Sequence, residues 1–317
     1  MIDRDEKNNY VLGIGAANVD IHGRSREGIV MRDSNPGFMN SSTGGVTRNV
    51  CENLARLGNE VKLITAVGDD VYGEKIRKDS IEAGIDMSNI YVAKGHASST
   101  YMTILDGNGD MMVALSDMRV LEQLSLDYLR SKVDIIKNAK IITIDPSLTF
   151  EEMEEIVKLC QETGRPLFMD PVSTAYAKVI KPLVGNFHTI KPNEMELGIL
   201  ADMEVKSEED FEKAAKILID KGVKRVFVSR GKAGCFYMDS EGTVLRRAFK
   251  PVEKMANASG AGDSFMAGVI HSFVHKYDIE NTLDVALAAG AIAVLSEKTI
   301  NPDMSVSLIH KITKENK

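Results

Sequence analysis

Short apolar runs alternate with amphipathic helical patterns along most of the 317-residue chain, and this alternation restricts the fold more than any other feature. Runs such as YVLGIG, EVKLITAVG, AKIITID, PLFMDPV and VKRVFV have the length of strands. Segments such as VTRNVCENLARLG, EKIRKDSIEAG and FEEMEEIVKLCQETG carry apolar residues at helical spacing. Strands that are buried on both faces and separated by helices are typical of βαβ units. The sequence therefore predicts an α/β fold, a mainly parallel central sheet flanked by helices.

Two segments interrupt this alternation. Residues 20–43 lack a helical period and are rich in turn-forming residues, and residues 98–115 are typical of a hairpin with DGNG at its tip. Antiparallel excursions from a parallel sheet often form lids or dimer edges. We therefore predict one domain over residues 1–317, with a small β lid formed by about 20–43 and 98–115. The exposed edge of such a lid favours a homodimer.

The charge and cysteine pattern excludes several classes of protein. The chain has 39 basic and 46 acidic residues and no basic tract, which argues against a nucleic acid or a membrane surface as partner. The first residues, MIDRDEKNNY, lack the apolar core of a signal peptide, and no run approaches the roughly 20 apolar residues of a membrane span. Cys51, Cys160 and Cys235 lie far apart without metal-ligand spacing. We expect a cytoplasmic protein with reduced thiols.

The stretch NASGAGDSFMAG sets two glycines and an acid where a helix is about to begin. The first amides of a helix point at solvent beside the positive end of its dipole, and glycines let an anion approach them. Gly260, Ala261 and Gly262 are therefore predicted to form an anion-binding nest. Asp263, next to the anion, is suited to accept a proton from a hydroxyl that attacks phosphorus. A plain turn with Asp263 as helix cap is the alternative.

Four further segments place small or polar residues where predicted strands end or helices begin. They contain Asn18 and Asp20 after the first strand, Gly44, Gly45 and Asn49 at the first helix, Asn193 and Glu196 in KPNEMEL, and Ser229, Gly231 and Gly234 in SRGKAG. Taken singly, each is also compatible with a turn, a helix cap or a hairpin. VLGIGAAN lacks the last glycine of a dinucleotide fingerprint, and no P-loop motif is present.

The four glycine and KPNE motifs, in this order, resemble the PfkB (ribokinase-like) family of sugar and nucleoside kinases, and the match is nearly full length. Within that family, stretches such as RDSNPGFMNSSTGGVTRNV, HTIKPNEMEL, NASGAGD and TINPDMS are most similar to the subgroup that phosphorylates pseudouridine. One position departs from the family. Asn257 and Ala258 stand where Asp-Thr usually precedes GAGD, next to the family's monovalent-cation site.

The resemblance implies a Rossmann-like sheet with a β lid, and transfer of the ATP γ-phosphoryl group to the 5′-hydroxyl of a ribosyl substrate. It implies Mg²⁺ and a monovalent cation such as K⁺ as cofactors. By position, the implied roles are Asp263 as base, the Gly260–Gly262 amides as anion hole, Asn18, Asp20, Gly44, Gly45 and Asn49 as ribose contacts, Asp117, Asp145 and Asp170 as further substrate contacts, Asn193, Ser229, Gly231 and Gly234 as the ATP site, and Glu196 as the Mg²⁺ support.

Three alternatives stay open at this point. The chain is also compatible with a kinase for ribose, another nucleoside or a sugar phosphate, although the last would need more basic residues than Arg48 on the acceptor side. A non-catalytic regulator could use the same fold. A nicotinamide dehydrogenase would need the complete dinucleotide fingerprint.

Overall fold

The computed structural model describes residues 10–108, 110–250 and 255–316. The start of the chain and Gly109 of the predicted hairpin tip therefore lie outside the described residues. The strands are, in chain order, β1 (Tyr10–Ile14), β2 (Asn18–Ser25), β3 (Gly37–Gly44), β4 (Glu60–Ile64), β5 (Ala66–Gly68), β6 (Tyr91–Ala93), β7 (Thr100–Leu105), β8 (Met111–Asp117), β9 (Ile141–Ile144), β10 (Leu167–Met169), β11 (Thr189–Ile190), β12 (Arg225–Ser229), β13 (Cys235–Asp239) and β14 (Val244–Arg247).

The helices that connect and follow these strands are α1 (Val46–Arg56), α2 (Val71–Glu82), α3 (Leu126–Ser131), α4 (Val133–Asn138), α5 (Phe150–Thr163), α6 (Thr174–Ile180), α7 (Glu194–Ala201), α8 (Glu208–Asp220), α9 (Ala261–Val274), α10 (Ile279–Ala293) and α11 (Val306–Asn316). Their starts follow ordinary capping chemistry. Thr149 and Ser207, for example, each form a capping box with the acid three residues later. No helix among the described residues has the length and apolar content to cross a membrane.

The central sheet contains eight strands in the order β14-β13-β12-β11-β10-β9-β1-β4. The pairs from β4 to β12 are parallel, and β13 and β14 are antiparallel additions at one edge. Successive residues of a strand point to opposite faces of the sheet. Adjacent residues along the chain therefore belong to different hydrophobic cores, one on each face. Leu12 and Ile142 pack with α3–α8, whereas Val11 and Ile141 pack with α1, α2, α9 and α10. This arrangement confirms the predicted α/β sandwich.

A separate four-stranded sheet has the order β3-β2-β7-β8 and is built from the two segments that lack the regular alternation. We call it the small sheet. Its β7–β8 pair is the predicted antiparallel hairpin. The face of the small sheet that carries Asn18, Asp20 and His22 is termed the inner face, and the face that carries Val19 and Ile21 is termed the outer face. Near its base the outer face packs on α2, where the Thr43 hydroxyl donates to Asp79.

One predicted strand is divided in the structure. Residues 60–68 form β4, which pairs with β1, and then β5, which leaves the central sheet to pair with β6. The helix predicted from residue 74 begins earlier, at Val71, because Asp70 caps it by accepting from the Gly73 amide. Neither change moves the carboxyl edge of the central sheet. There, the ends of β1, β9, β10, β11 and β12 meet, which is where open α/β sheets bind ligands.

Candidate active site

Helix α9 begins at this edge with an open first turn. Its N-cap, Gly260, has a left-handed backbone (φ 76°) and supplies no side-chain cap. A Cβ at Gly260 would lie 2.1 Å from the Thr299 carbonyl oxygen, so the turn requires glycine. The first helical bond runs from the Ser264 amide to the Gly260 carbonyl. Within the described part of the chain, the amides of residues 261–263 have no acceptor and remain available to an anion.

Helix α1 also begins at a glycine without a side-chain cap, and the contrast with α9 is informative. Its Thr47 and Arg48 amides already donate to the Asp145 carboxylate and the Ala16 carbonyl. Gly45 has a left-handed backbone (φ 101°), and a Cβ there would lie 2.5 Å from the Ala16 oxygen. The first turn of α1 is therefore closed by protein groups. Of the two helix starts, α9 offers the anion site.

Asp263 lies in the first turn of α9, and its carboxylate accepts a 2.9 Å hydrogen bond from the side-chain amide of Asn49. Burial, reinforced by the negative charge of Asp170, raises the pKa of Asp263 to about 7. Asn49 and Lys191 oppose this rise because they stabilise the ionised form. A carboxyl group with a pKa near neutrality is well matched to general-base chemistry.

Asn49 has one further property. Its side chain is only 4% exposed, yet its Oδ1 atom has no hydrogen-bond partner among the described residues. An unpaired buried acceptor is costly unless a ligand or water completes it. The amide therefore offers an acceptor at the site while its nitrogen holds Asp263.

Asn18 and Asp20 follow β1, as predicted, and lie within β2 at the base of the small sheet. The Asn18 amide donates to Asp20 at 2.6 Å, and burial raises the pKa of Asp20. The strand register places Gly44 opposite Asn18. A Cβ at Gly44 would lie 2.2 Å from an Asp20 oxygen, so this glycine makes room for the carboxylate.

A cavity of about 370 Å³ also borders the start of α9. The β12–β13 hairpin supplies Ser229, Gly231 and Gly234 to its wall, and Ala261 and Gly262 of the nest complete one end. The remaining lining is largely apolar and includes Phe249, Phe265, Leu287 and Val294. A ligand with a flat apolar part in this cavity can extend a charged tail to the open amides of α9.

Asn193 and Glu196 form a reciprocal capping box at the start of α7. The Glu196 amide donates to the Asn193 side chain, and the Glu196 carboxylate accepts from the Asn193 amide and side chain, all at 2.9 Å. Burial raises the pKa of Glu196. Within the described ranges, no group of three or more His, Cys, Asp or Glu residues is arranged to hold a metal ion. This donor set fits Mg²⁺ only through water and substrate oxygens.

Two of the predicted substrate contacts have other partners in the structure. Asp145 is fully buried and accepts from the Ala16 amide, the Thr47 amide and hydroxyl, and the Ser147 amide. It fastens β9 to the start of α1 and is not open to a ligand.

Asp117 lies at the end of β8 on the outer-face register, beside Thr100 and Val19, so it faces away from Asp20. Arg119 binds it through two hydrogen bonds, of 2.9 and 2.6 Å, which lower the pKa of Asp117 to about 2.

Sequence reasoning missed one residue of the site. Lys191, at the end of β11, is 4% exposed, and its ammonium group lies 3.1 Å from the Asp170 carboxylate. Burial lowers the pKa of Lys191, but the charge of Asp170, with Glu196 and Asp263, outweighs burial and raises it. The signal was present in the KPNE segment, since a lysine after a buried strand is unusual. Its partner could not be identified because the two residues come from different strands.

The chain is similar in sequence and in fold to known kinases. Residues 8–305 match the pfkB family of carbohydrate kinases. The pseudouridine kinase of Escherichia coli (strain K12) is 33% identical over 300 residues, which cover 94% of this chain and 95% of that protein. A crystal structure from Clostridium perfringens, provisionally named a sugar kinase, is 34% identical, with a TM-score of 0.86 over 98% of this chain and 96% of that chain.

Two more distant structures share the fold. Arabidopsis thaliana ribokinase, complexed with ribose and ATP, is 19% identical with a TM-score of 0.85, over 96% of this chain and 99% of that chain. An Escherichia coli protein provisionally named ribokinase II, in complex with ATP and Mg²⁺, is 21% identical with a TM-score of 0.84, over 97% and 99% of the two chains.

The chain belongs to the pfkB family of carbohydrate kinases. The predicted ribokinase-like fold is thereby confirmed, and so is the prediction of a phosphotransferase that uses an alcohol group of a sugar or nucleoside as acceptor.

Proposed function

We propose that the protein transfers the γ-phosphoryl group of ATP to the 5′-hydroxyl of a ribosyl substrate, with pseudouridine as the preferred acceptor. The observation that carries this proposal is the position of Asp263. Its carboxyl group, with a pKa of about 7, lies in the open first turn of α9, beside three amides that lack acceptors in the described structure. A base next to an anion site is the arrangement that phosphoryl transfer to an alcohol requires.

In the proposed reaction, Asp263 accepts the proton of the 5′-hydroxyl as its oxygen forms a bond to the γ-phosphorus. The bond between that phosphorus and the oxygen bridging to the β-phosphate breaks, and its electron pair leaves with ADP. The amides of residues 261–263 stabilise the negative charge that shifts during transfer. Asn49 keeps the carboxylate aimed through its 2.9 Å hydrogen bond.

On the acceptor side, Asn18, Asp20 and Asn49 bind the ribose hydroxyls. Asp20 accepts from a hydroxyl, and the Asn49 Oδ1, which has no partner among the described residues, accepts from another. Gly44 and Gly45 serve this side indirectly and are not proposed as sugar contacts, because the first makes room for the Asp20 carboxylate and the second for the Ala16 carbonyl at the start of α1. Asp145 keeps this region in place and is not proposed as a ligand contact, and neither is Asp117.

On the donor side, the adenine of ATP occupies the 370 Å³ cavity, with Ser229, Gly231 and Gly234 along its wall. Asn193 borders the phosphates, because its turn bridges to Ser229. Glu196 supports Mg²⁺ through water, and the ion would neutralise charge on the β- and γ-phosphates. The Escherichia coli structure with ATP and Mg²⁺ supports these two ligands.

Pseudouridine is proposed on two grounds. The relative at 33% identity carries that name. The inner face of the small sheet is also polar above the ribose region, since the register aligns Asn40, His22 and Thr103 in one row. Thr103 is 5% exposed and its hydroxyl lacks a partner among the described residues. Such a row supplies donors and acceptors to the edge of a nucleobase, whereas a lone sugar would not need them.

We propose further that the small sheet acts as the lid and joins two copies of the chain through its outer face. That face exposes Met39, Met102, Val113 and Leu115, of which Leu115 is 70% exposed. An apolar patch of this kind on a sheet favours self-association. Sedimentation of the wild type and of Leu115→Glu tests this, and a wild type that stays monomeric at micromolar concentration contradicts it.

Two smaller proposals follow from the remaining residues. A monovalent cation such as K⁺ supports turnover near Asn257, whose side-chain amide donates to the Glu297 backbone carbonyl at 3.1 Å. Turnover in K⁺ against choline tests it. The three cysteines are unpaired and buried, which supports a cytoplasmic location. Neither a nucleic acid nor a membrane is proposed as partner.

Transfer of label from γ-³²P-ATP to a panel of nucleosides and sugars tests the function. We expect label on pseudouridine, and Asp263→Asn should lose turnover on the order of 10²–10⁴-fold while keeping ATP affinity. If label appears only on ribose or a hexose, that sugar replaces pseudouridine as the proposed acceptor. No transfer at all would favour a non-catalytic regulator.

A further inference from the structure

The strongest feature outside the assigned roles is the buried cation at the end of β11. The Lys191 side chain is 5% exposed and the Asp170 side chain 8%, with 3.1 Å between ammonium and carboxylate. An ammonium group has three donor hydrogens, and Asp170 is its one hydrogen-bond partner in the described ranges. Two donor hydrogens of a nearly inaccessible cation are therefore left for another acceptor.

The position of these donors is specific. A Cβ built on Gly262 would lie 3.4 Å from the Lys191 nitrogen, so the ammonium group borders the open turn of α9. An anion held by the Gly262 amide would lie within hydrogen-bonding reach of it. Glycine at 262 also leaves this space free of side-chain atoms.

The loop that carries Asp170 is strained around the same point. Val172 has a left-handed backbone (φ 65°), which is rare for a β-branched residue. Its amide donates to Asp170 at 3.1 Å, and the Ser173 amide donates to the Pro171 carbonyl at 2.7 Å. Strain of this kind persists where the surrounding structure needs a fixed geometry, often at a functional site. Here it fixes the carboxylate that holds Lys191.

The local charge balance also needs a cation. The charges of Asp170, Glu196 and Asp263 all act on Lys191, which borders the nest, and each repels a phosphoryl group when ionised. A buried ion pair is not by itself a gain in stability. A purely structural ion pair would not need to lie next to the nest, as this one does.

We infer that Lys191 is a catalytic residue that donates a hydrogen bond to the transferred phosphoryl group, and that Asp170 is the residue that positions it. This inference rests on the proposed function. As the acceptor oxygen bonds to phosphorus and ADP departs, Lys191 stays protonated. Its hydrogen bond stabilises the negative charge on the equatorial oxygens of the phosphoryl group. Asp263 alone takes the hydroxyl proton.

The test removes both charges together, because Lys191→Met alone would leave Asp170 buried without a partner. The double variant Lys191→Met, Asp170→Asn is compared with Lys181→Met, Asp202→Asn, which removes the Lys181–Asp202 ion pair away from the nest. Turnover and the affinities for ADP and for ADP with aluminium fluoride, a mimic of the transferring phosphoryl group, are measured for each.

We expect the first double variant to lose turnover about 10²–10³-fold and to lose affinity for the fluoride complex by a similar factor, with ADP affinity nearly unchanged. The control should behave as wild type. Turnover near the wild-type level in the first double variant, or equal weakening of ADP and the fluoride complex, would overturn the inference. Asp170→Asn alone, with Lys191 retained, should lose less turnover than the double variant.

A measurement on the wild type covers the case in which the double variant does not fold. In a crystal with ADP, aluminium fluoride and Mg²⁺, the Lys191 nitrogen should contact the fluoride group, and a nitrogen bonded to Asp170 alone would overturn the inference. The turnover assay uses whichever acceptor the wild type phosphorylates. If the wild type phosphorylates a sugar but not pseudouridine, the proposed function changes and the test of Lys191 remains valid.

Discussion

The side-chain amide of Asn49 in α1 donates a 2.9 Å hydrogen bond to the Asp263 carboxylate in α9, across 214 positions of sequence. This bond fixes the carboxylate and leaves the Asn49 oxygen free of partners in the described structure. It therefore ties the acceptor side of the site to the proposed base. Four predictions follow from this relationship and from the packing of α9.

The first concerns Asn49 itself. Asn49→Ala should lower kcat about 10- to 100-fold, because a base that loses its orientation no longer meets the acceptor hydroxyl in a productive geometry. Steady-state kinetics with saturating ATP measure this. Asn53→Ala is the matched control, since Asn53 lies one turn further along α1 and donates to the Asn49 carbonyl instead. A loss of kcat as large in the control would show that α1 is merely destabilised.

The second concerns pH. As the proposed base, Asp263 would act only when ionised, and its pKa is about 7, so kcat/KM should fall about tenfold per pH unit below neutrality. In Asn49→Ala the acidic limb should move to higher pH, because the lost hydrogen bond favoured the ionised form. The groups that share this environment are Asp170, Lys191 and Asp145. A profile flat down to pH 5 would contradict the assignment of Asp263.

The third concerns stability. The folded-state pKa of Asp263 is raised from 3.8 to about 7, so folding favours the protonated form. This contribution is fully present below about pH 4 and is lost as pH rises through 7. The free energy of unfolding of Asp263→Asn should thus equal that of the wild type in acid. At pH 8 it should exceed the wild-type value by about 1 to 4 kcal/mol. Urea unfolding at several pH values measures the difference, and a constant offset would refute it.

The fourth concerns two glycines within helices. A Cβ on Gly268 would lie 2.7 Å from the Ala286 Cα. Gly268→Ala should therefore push α9 away from α10 and lower the free energy of unfolding by about 1–3 kcal/mol. A Cβ on Gly290 would meet nothing closer than 3.5 Å, so Gly290→Ala should be neutral or stabilise by about 1 kcal/mol. Because Gly290 lines the cavity, that variant should raise the KM for ATP. Thermal unfolding and ATP kinetics separate the two effects.

The sequence was sufficient for the framework of the fold, because buried strands and amphipathic helices carry local periodicity. It also located the open turn at Gly260–Gly262, since glycine before a helix has a direct conformational meaning. The division of residues 60–68 into β4 and β5 was not predictable, as it depends on a pairing with β6.

Long-range partners account for the differences at the site. Asp145 and Asp117 were both acids at strand ends, and only the structure shows that the first is enclosed by four donors and the second is held by Arg119. Lys191 was missed for the converse reason. Its importance depends on Asp170 and Gly262, which come from two other elements.

The junction between the small sheet and α1 has a mechanical consequence. Strand β3 ends at Gly44 and α1 begins at Val46, with the Gly45 carbonyl accepting from the Asn49 amide at 2.7 Å. A tilt of the small sheet would thus be transmitted through one residue to the turn that carries Asn49, the donor to Asp263. Binding of a sugar beneath the proposed lid would in this way act directly on the geometry of the proposed base.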